Sequence, residues 1–98
     1  MKRHRVGKGK RRGFMRTVLS EKLAQWQDSS TPGGRSIAHV ASYLYGGHEP
    51  EREHVLNAAA DLERYIPGAE RGEHGWTPKD ADDLRRMVSS LHEMAGVS

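Results

Sequence analysis

The sequence predicts one mainly α-helical domain of about four helices, preceded by a basic N-terminal arm. Its 98 residues suit a single domain, and with 35% apolar and 6% aromatic residues we expect a modest core. In four separate segments, apolar residues recur three or four positions apart, and each segment is followed by glycine or proline or by the end of the chain. Cysteine is absent, so disulfides, thiol catalysis and cysteine-ligated zinc are excluded.

Positive charge is concentrated at the N-terminus. Residues 1–16 contain eight basic residues and no acid, namely Lys2, Arg3, Arg5, Lys8, Lys10, Arg11, Arg12 and Arg16. Residues 17–98 hold eight basic and thirteen acidic residues, a net charge of −5, so the chain as a whole carries +3. Like charges repel and the interleaved glycines add backbone entropy, so we expect residues 1–13 to form a disordered arm ahead of a domain over residues 14–96.

The first two predicted helices are separated by a run of turn-forming residues. The first ends near Gln27 and has on one face Met15, Leu19, Leu23 and Trp26. Residues 28–34 favour a turn. Ser36 is then the predicted N-cap of a short second helix, which Gly46 and Gly47 end. Its buried face comprises Ile37, Val40, Ala41 and Leu44.

The third predicted helix begins near Pro50 and stops at Pro67 and Gly68. Its apolar face is Val55, Ala59, Leu62 and Ile66, and its opposite, exposed face is Glu53, Asn57, Ala60, Asp61 and Arg64. A glycine-rich connection follows, in which two short strands around residues 65–66 and 75–77 have room to pair.

The last predicted helix has the clearest start. Thr77 is placed as N-cap, Pro78 as the first residue and Asp80 as the capping-box acid. Trp76 is in position to pack on Ala81 as a hydrophobic staple. The buried face is Leu84, Val88, Leu91 and Ala95, flanked by Met87 and Met94.

Residues 36–68 carry a family resemblance. A short helix ends in Tyr43-Leu44-Tyr45-Gly46, a polar turn contains Glu49-Pro50, and a longer helix with small residues at 58–60 leads into a glycine turn. This pattern resembles the helix-turn-helix core of small winged-helix DNA-binding proteins of actinobacterial and phage type. The resemblance implies a winged helix-turn-helix fold, with the third helix in the major groove and the glycine-rich segment as a wing on the DNA backbone.

The resemblance also implies a set of contacts with duplex DNA. The third helix offers Arg52, Asn57 and Arg64, and the wing offers Arg71. Glu51, Glu53 and Asp61 on the same helix oppose phosphate binding, so we expect the arm to supply most of the affinity. The arm has a precedent in homeodomains, whose N-terminal arms enter the minor groove.

These observations predict a non-enzymatic, cytoplasmic DNA-binding protein, a small transcriptional or phage regulator that could act as a homodimer. The alternatives are a protein-interaction module with an acidic body, such as a phage-type inhibitor of a host protein, and an RNA-binding protein using the same arm. The six histidines lack the spacing of a helical zinc site, so we expect no metal and no cofactor. Tyr43 and Tyr45 are candidates for contact with a ligand or partner. Trp26 and Trp76 are expected in the core.

Overall fold

Five α-helices and one 3₁₀ turn account for most of residues 14–97, the part of the chain that the computed structural model describes. They are α1 (Arg16–Ala24), α2 (Pro32–Tyr45), α3 (Arg52–Glu63), α4 (Ile66–Glu70), the 3₁₀ turn (Glu73–Gly75) and α5 (Pro78–Met94). The mainly α-helical class is confirmed. The arm over residues 1–13, with seven of the predicted phosphate-binding cations, lies outside the described residues.

The core forms where α2 packs between α1 and α3 and where α5 covers α3 and α4. The predicted inward faces meet there, and the largest fully buried side chains are Leu19, Leu23, Ile37, Val40, Val55, Leu62, Leu84, Met87 and Leu91. Met15 departs from this pattern, because it precedes the first helical turn and is 73% exposed. Trp26 and Ile66, predicted on the inward faces of the first and third helices, lie beyond the ends of α1 and α3 and are only partly buried. Helical periodicity thus identified the buried faces and failed at the helix ends.

The second helix starts earlier than predicted. Ser36 is not its N-cap but a buried residue inside α2. Thr31 is the N-cap instead, and its Oγ1 accepts a 2.9 Å hydrogen bond from the backbone N–H of Gly34. Pro32 occupies the first turn, where it leaves no donor unpaired. The third helix, by contrast, starts later than predicted, at Arg52 after the N-cap Glu51, and Pro50 lies before it.

The connection after α3 is helical, so the prediction of two short strands around residues 65–66 and 75–77 is wrong. The helix α3 ends at Glu63, and Pro67 lies in the first turn of the new helix α4 rather than stopping α3. Gly72 then turns the chain with a φ of 76°. Residues 14–97 contain no strand, and no β-hairpin occupies the predicted position of the wing.

The start of α5 matches its prediction. Thr77 Oγ1 accepts from the Asp80 N–H at 3.2 Å, and an Asp80 carboxylate oxygen accepts from the Thr77 N–H at 2.9 Å. This reciprocal capping box satisfies two donors that the first helical turn leaves unpaired. Trp76, the residue before this cap, contacts the rings of Trp26 and Tyr65.

Candidate nucleic-acid interface

The basic arm joins the folded body at Phe14. The Phe14 N–H donates to Ser90 Oγ at 2.6 Å, which ties the root of the arm to α5. The Phe14 ring faces two cations, with Lys22 Nζ 5.3 Å and the Arg86 guanidinium carbon 4.2 Å from its centroid. Cation–π attraction holds these side chains beside the arm's root. Two cations of the body therefore lie beside the root of the arm, but Lys22 is also paired with Asp83 at 3.0 Å, and Glu93 lines the same pocket as Phe14.

Arg16 is the one predicted arm cation that the structure describes. Its Nη2 donates to both carboxylate oxygens of Glu49, at 2.9 Å and 2.6 Å, joining α1 to the turn before α3. This hydrogen bonding lowers the pKa of Glu49 and raises that of Arg16. Both side chains are exposed. To bind a phosphate, Arg16 has to break its hydrogen bonds to Glu49.

Arg52 lies at the same end of the molecule. Its Nε donates to the carbonyl oxygen of Ala95 at 2.8 Å, just past the C-terminal end of α5, where a cation opposes the negative end of the helix dipole. The arm's root is bonded to the same part of α5 through Ser90. Arg52 and Phe14 therefore both bond to the C-terminal part of α5 and the residue that follows it.

Arg64 and Asp61 form an ion pair at the other end of α3, with Arg64 Nη1 2.5 Å from Asp61 Oδ1. The prediction that Asp61 is exposed is wrong, because this residue is only 4% exposed. It faces the first turn of α2, where a Cβ on Gly33 would lie 2.5 Å from the Asp61 carboxyl carbon. The positive end of the α2 dipole there favours a carboxylate.

Arg71, predicted as the wing anchor, is paired with Glu73 at 2.7 Å and lies in a turn. Twelve residues of α3 span about 18 Å. Arg52 and Arg64 therefore stand a helix length apart and form no single basic cluster. Between them, Asn57 is exposed, and Glu51 and Glu53 are exposed beside Arg52.

The described body is acidic overall. Residues 14–97 contain nine basic and thirteen acidic residues, a net charge of −4, against seven basic residues and no acid in residues 1–13. The predicted binding cations of the body each have an intramolecular partner: Arg16 with Glu49, Arg52 with Ala95, Arg64 with Asp61, and Arg71 with Glu73. Unpaired positive charge is therefore not gathered on α3.

A row of rings runs along the seam between α2 and α3. His39 stacks on His54 with centroids 4.0 Å apart and on Tyr43 at 4.2 Å, and Tyr43 meets His48 edge-on at 6.2 Å. Tyr43 is 38% exposed. The neighbouring Tyr45 is 84% exposed, so both tyrosines are open to contact. The histidines serve helix packing here, and the described residues contain no group of three side chains able to hold a metal ion.

A second surface feature was missed by sequence reasoning. Trp26, Tyr65 and Trp76 form an aromatic cluster with centroids 5.2 to 5.7 Å apart, and all three side chains are half-buried rather than in the core. They line an open groove of about 420 Å³ together with Gln25, Gln27, Asp28 and Asp80. We call this the aromatic groove. Its parts come from three separate stretches of the chain, residues 25–28, Tyr65 and residues 76–80, so no local motif marks it.

Comparison of the chain with protein-family models, with curated proteins and with solved structures finds no significant match. In residues 14–97, no helix is both long enough and apolar enough to cross a membrane.

Proposed function

We propose that this protein is a non-enzymatic DNA-binding protein whose affinity for duplex DNA comes chiefly from the basic arm, as a small cytoplasmic transcriptional or phage regulator would use it. The observation that supports the proposal is the division of charge. Seven cations lie in residues 1–13 without an acid, while the predicted cations of the body are engaged within the body. Phosphates compete poorly for cations that already have carboxylate partners.

In this proposal the body orients the arm and adds few contacts. Arg52 and Asn57 are the side chains of α3 to which the proposal assigns DNA contacts, and the α2–turn–α3 pair is consistent with a helix-turn-helix interpretation. Arg64 and Arg71 are tied to Asp61 and Glu73 and contribute little. The winged-helix resemblance is kept only for this helix pair, because its wing requires strands.

The test is fluorescence anisotropy of the full chain with a labelled random duplex over a salt series. Each neutralised phosphate contributes a log–log slope of about −0.9, so seven arm contacts predict a slope of about −6. Replacing four arm cations by glutamine (Lys8, Lys10, Arg11 and Arg12) removes about 3.6 from that slope and most of the affinity.

A matched control replaces four exposed body cations by glutamine (Arg35, Arg71, Lys79 and Arg85), with the same change in net charge. This variant is expected to keep most of the slope. A single-site pair sharpens the test, because Arg52→Ala weakens binding severalfold and Arg64→Ala leaves it near wild type. Equal losses from the arm and body variants, or no binding by the intact chain at low salt, would refute the proposal.

A protein-interaction module is the second candidate, favoured by the acidic body and by the exposure of Tyr45 at the end of α2. Such a partner binds largely through buried apolar contacts, so its complex survives high salt, unlike a complex with DNA. A stoichiometric partner retained at about 1 M salt and lost in Tyr45→Ser would favour this candidate.

A further inference from the structure

We propose that the aromatic groove is a binding site for a lysine or arginine side chain, and that its occupant is this chain's own basic arm. Three aromatic rings and two carboxylates meet in the groove, and none of the described residues that line it is basic. Aromatic faces combined with carboxylates recognise ammonium and guanidinium groups. The proposal does not rest on DNA binding, because it concerns the protein without nucleic acid.

The rings are held with part of their surface open. Trp26 lies 5.2 Å from both Tyr65 and Trp76, and the last two meet edge-on. Gly68 makes room for this arrangement, since a Cβ there would lie 3.1 Å from the Trp76 ring. The π-faces carry negative potential, which attracts a cation placed above them.

The two carboxylates are anchored through one oxygen each. Asp28 Oδ1 accepts from the Ser30 N–H at 2.9 Å and from the Ser30 hydroxyl at 2.6 Å. Asp80 Oδ2 accepts from the Thr77 N–H at 2.9 Å. The second oxygen of each has no hydrogen-bond partner among residues 14–97. Each is therefore fixed in place and can still accept a bond from an ammonium or guanidinium group.

The Ser30 hydrogen bonds also lower the pKa of Asp28, which keeps this carboxylate charged to more acidic pH than an ordinary aspartate. The groove therefore remains anionic over the whole neutral range. A guanidinium group fits it on two counts, since it stacks on aromatic faces and donates to carboxylates.

The arm is the occupant that charge and tether length favour. It has seven cations and no acid, whereas the groove has two acids and no cation among its described lining residues. Thirteen residues reach at most about 45 Å. The nine residues of α1, which separate the arm's root from Trp26, span only about 14 Å. A tether of this length supplies a millimolar effective concentration, which no free basic partner matches at ordinary levels.

The experiment exploits the fact that the chain has two tryptophans and both line the groove. Their indole N–H resonances in a ¹⁵N spectrum of the full chain therefore report on this site. Spectra are recorded between about 10 mM and about 1 M salt, over which the Debye length falls from about 30 Å to about 3 Å. All spectra are recorded at one buffered pH, so that only the salt concentration changes.

Three variants separate the docked arm from a general salt effect. The first is the arm variant with glutamine at Lys8, Lys10, Arg11 and Arg12. The second, Asp28→Asn with Asp80→Asn, removes the groove charges and retains an acceptor oxygen for Ser30 and Thr77. The third is its matched control with the same change in net charge, Glu53→Gln with Asp82→Asn, at exposed positions that do not line the groove.

Both indole resonances are expected to shift with salt in the wild type and in the control. In the arm and groove variants, both indole resonances at low salt are expected to lie close to the positions they have in the wild type at high salt. The other amide resonances are expected to be unchanged. The wild-type shift is expected to be independent of protein concentration. A salt response that is equal in all four proteins overturns the proposal, and one that disappears on dilution overturns the intramolecular occupant. Because no DNA is present, these outcomes are independent of the proposed function.

Discussion

Gly34→Ala tests how closely the α1–α2 loop is packed on α2. Gly34 is buried in the first turn of α2, and its N–H donates to the Thr31 cap. An added Cβ would lie 2.5 Å from Asp28 Cβ and would overlap the Asp28 carbonyl oxygen. A backbone carbonyl cannot move aside by changing rotamer, so either the loop shifts or the first turn of α2 unwinds.

The expected loss of stability combines two contributions. Overpacking costs about 1–3 kcal/mol, and weakening the Thr31 cap costs about 1 kcal/mol. The sum is about 2–4 kcal/mol, which lowers Tm by at least about 8 °C in a domain of this size. This is a large share of the stability of a small domain.

The assay is thermal and urea unfolding followed by circular dichroism. Gly46→Ala is the matched control, because Gly46 has a φ of −83°, which alanine adopts without strain. The one side chain that its Cβ would contact is that of His48, at 3.1 Å. That exposed side chain can rotate, so the control is expected to stay within about 0.5 kcal/mol of wild type. If Gly34→Ala loses no more stability than Gly46→Ala, the tight loop contact is refuted.

Other perturbations address the core and two ion pairs. Leu62→Ala empties a fully buried site in α3 and is expected to cost about 2–5 kcal/mol in urea unfolding. Arg64→Ala leaves the buried Asp61 carboxylate without its partner, at a cost of about 1–2 kcal/mol once the exposure of Arg64 is allowed for. NMR titration is expected to give Glu49 a lowered pKa that Arg16→Gln returns towards normal. The stability that this pair provides is present above the unfolded-state pKa and is lost as pH falls through the lowered folded-state value.

For each of these three predictions, a specific result would contradict it. A Leu62→Ala protein as stable as the half-buried control Leu56→Ala would contradict the core assignment. Arg64→Ala equal to wild type would mean that solvent satisfies Asp61. A Glu49 titration unaffected by Arg16→Gln would show that the pair does not form in solution.

Sequence periodicity correctly predicted the features that are determined within a single helix. The buried faces of α2 and α5 and the capping box at Thr77 follow from local spacing and side-chain chemistry. The early start of α2 did not follow, because Gly33 and Gly34 favour turns in isolation. Both glycines are needed inside the helix because Asp61 approaches the backbone at Gly33 and Asp28 approaches it at Gly34. Asp61 is distant in the sequence, and Asp28 belongs to the adjoining loop.

The candidate site shows the same division. The charge of the arm can be counted from the sequence, whereas the hydrogen bond of Arg52 depends on the Ala95 carbonyl that follows α5. The partner of Arg64 is its near neighbour Asp61, and only the burial of Asp61 depends on α2. Asp61 lies opposite the predicted apolar face of α3, yet α2 covers that side and buries it. The aromatic groove needs Trp26, Tyr65 and Trp76 to meet from separate segments, and each tryptophan alone is equally consistent with a core position.

If both proposals hold, the arm has two negatively charged partners, the body and DNA. The aromatic groove offers two free carboxylate oxygens, so it can engage only one or two of the seven arm cations at once. The remaining cations stay available to phosphates, and DNA can displace the arm stepwise. The apparent association constant for DNA is then the intrinsic constant multiplied by the fraction of molecules in which the arm is undocked. Because salt weakens both interactions, docking also makes the measured salt dependence of DNA binding shallower than the number of phosphate contacts alone would give.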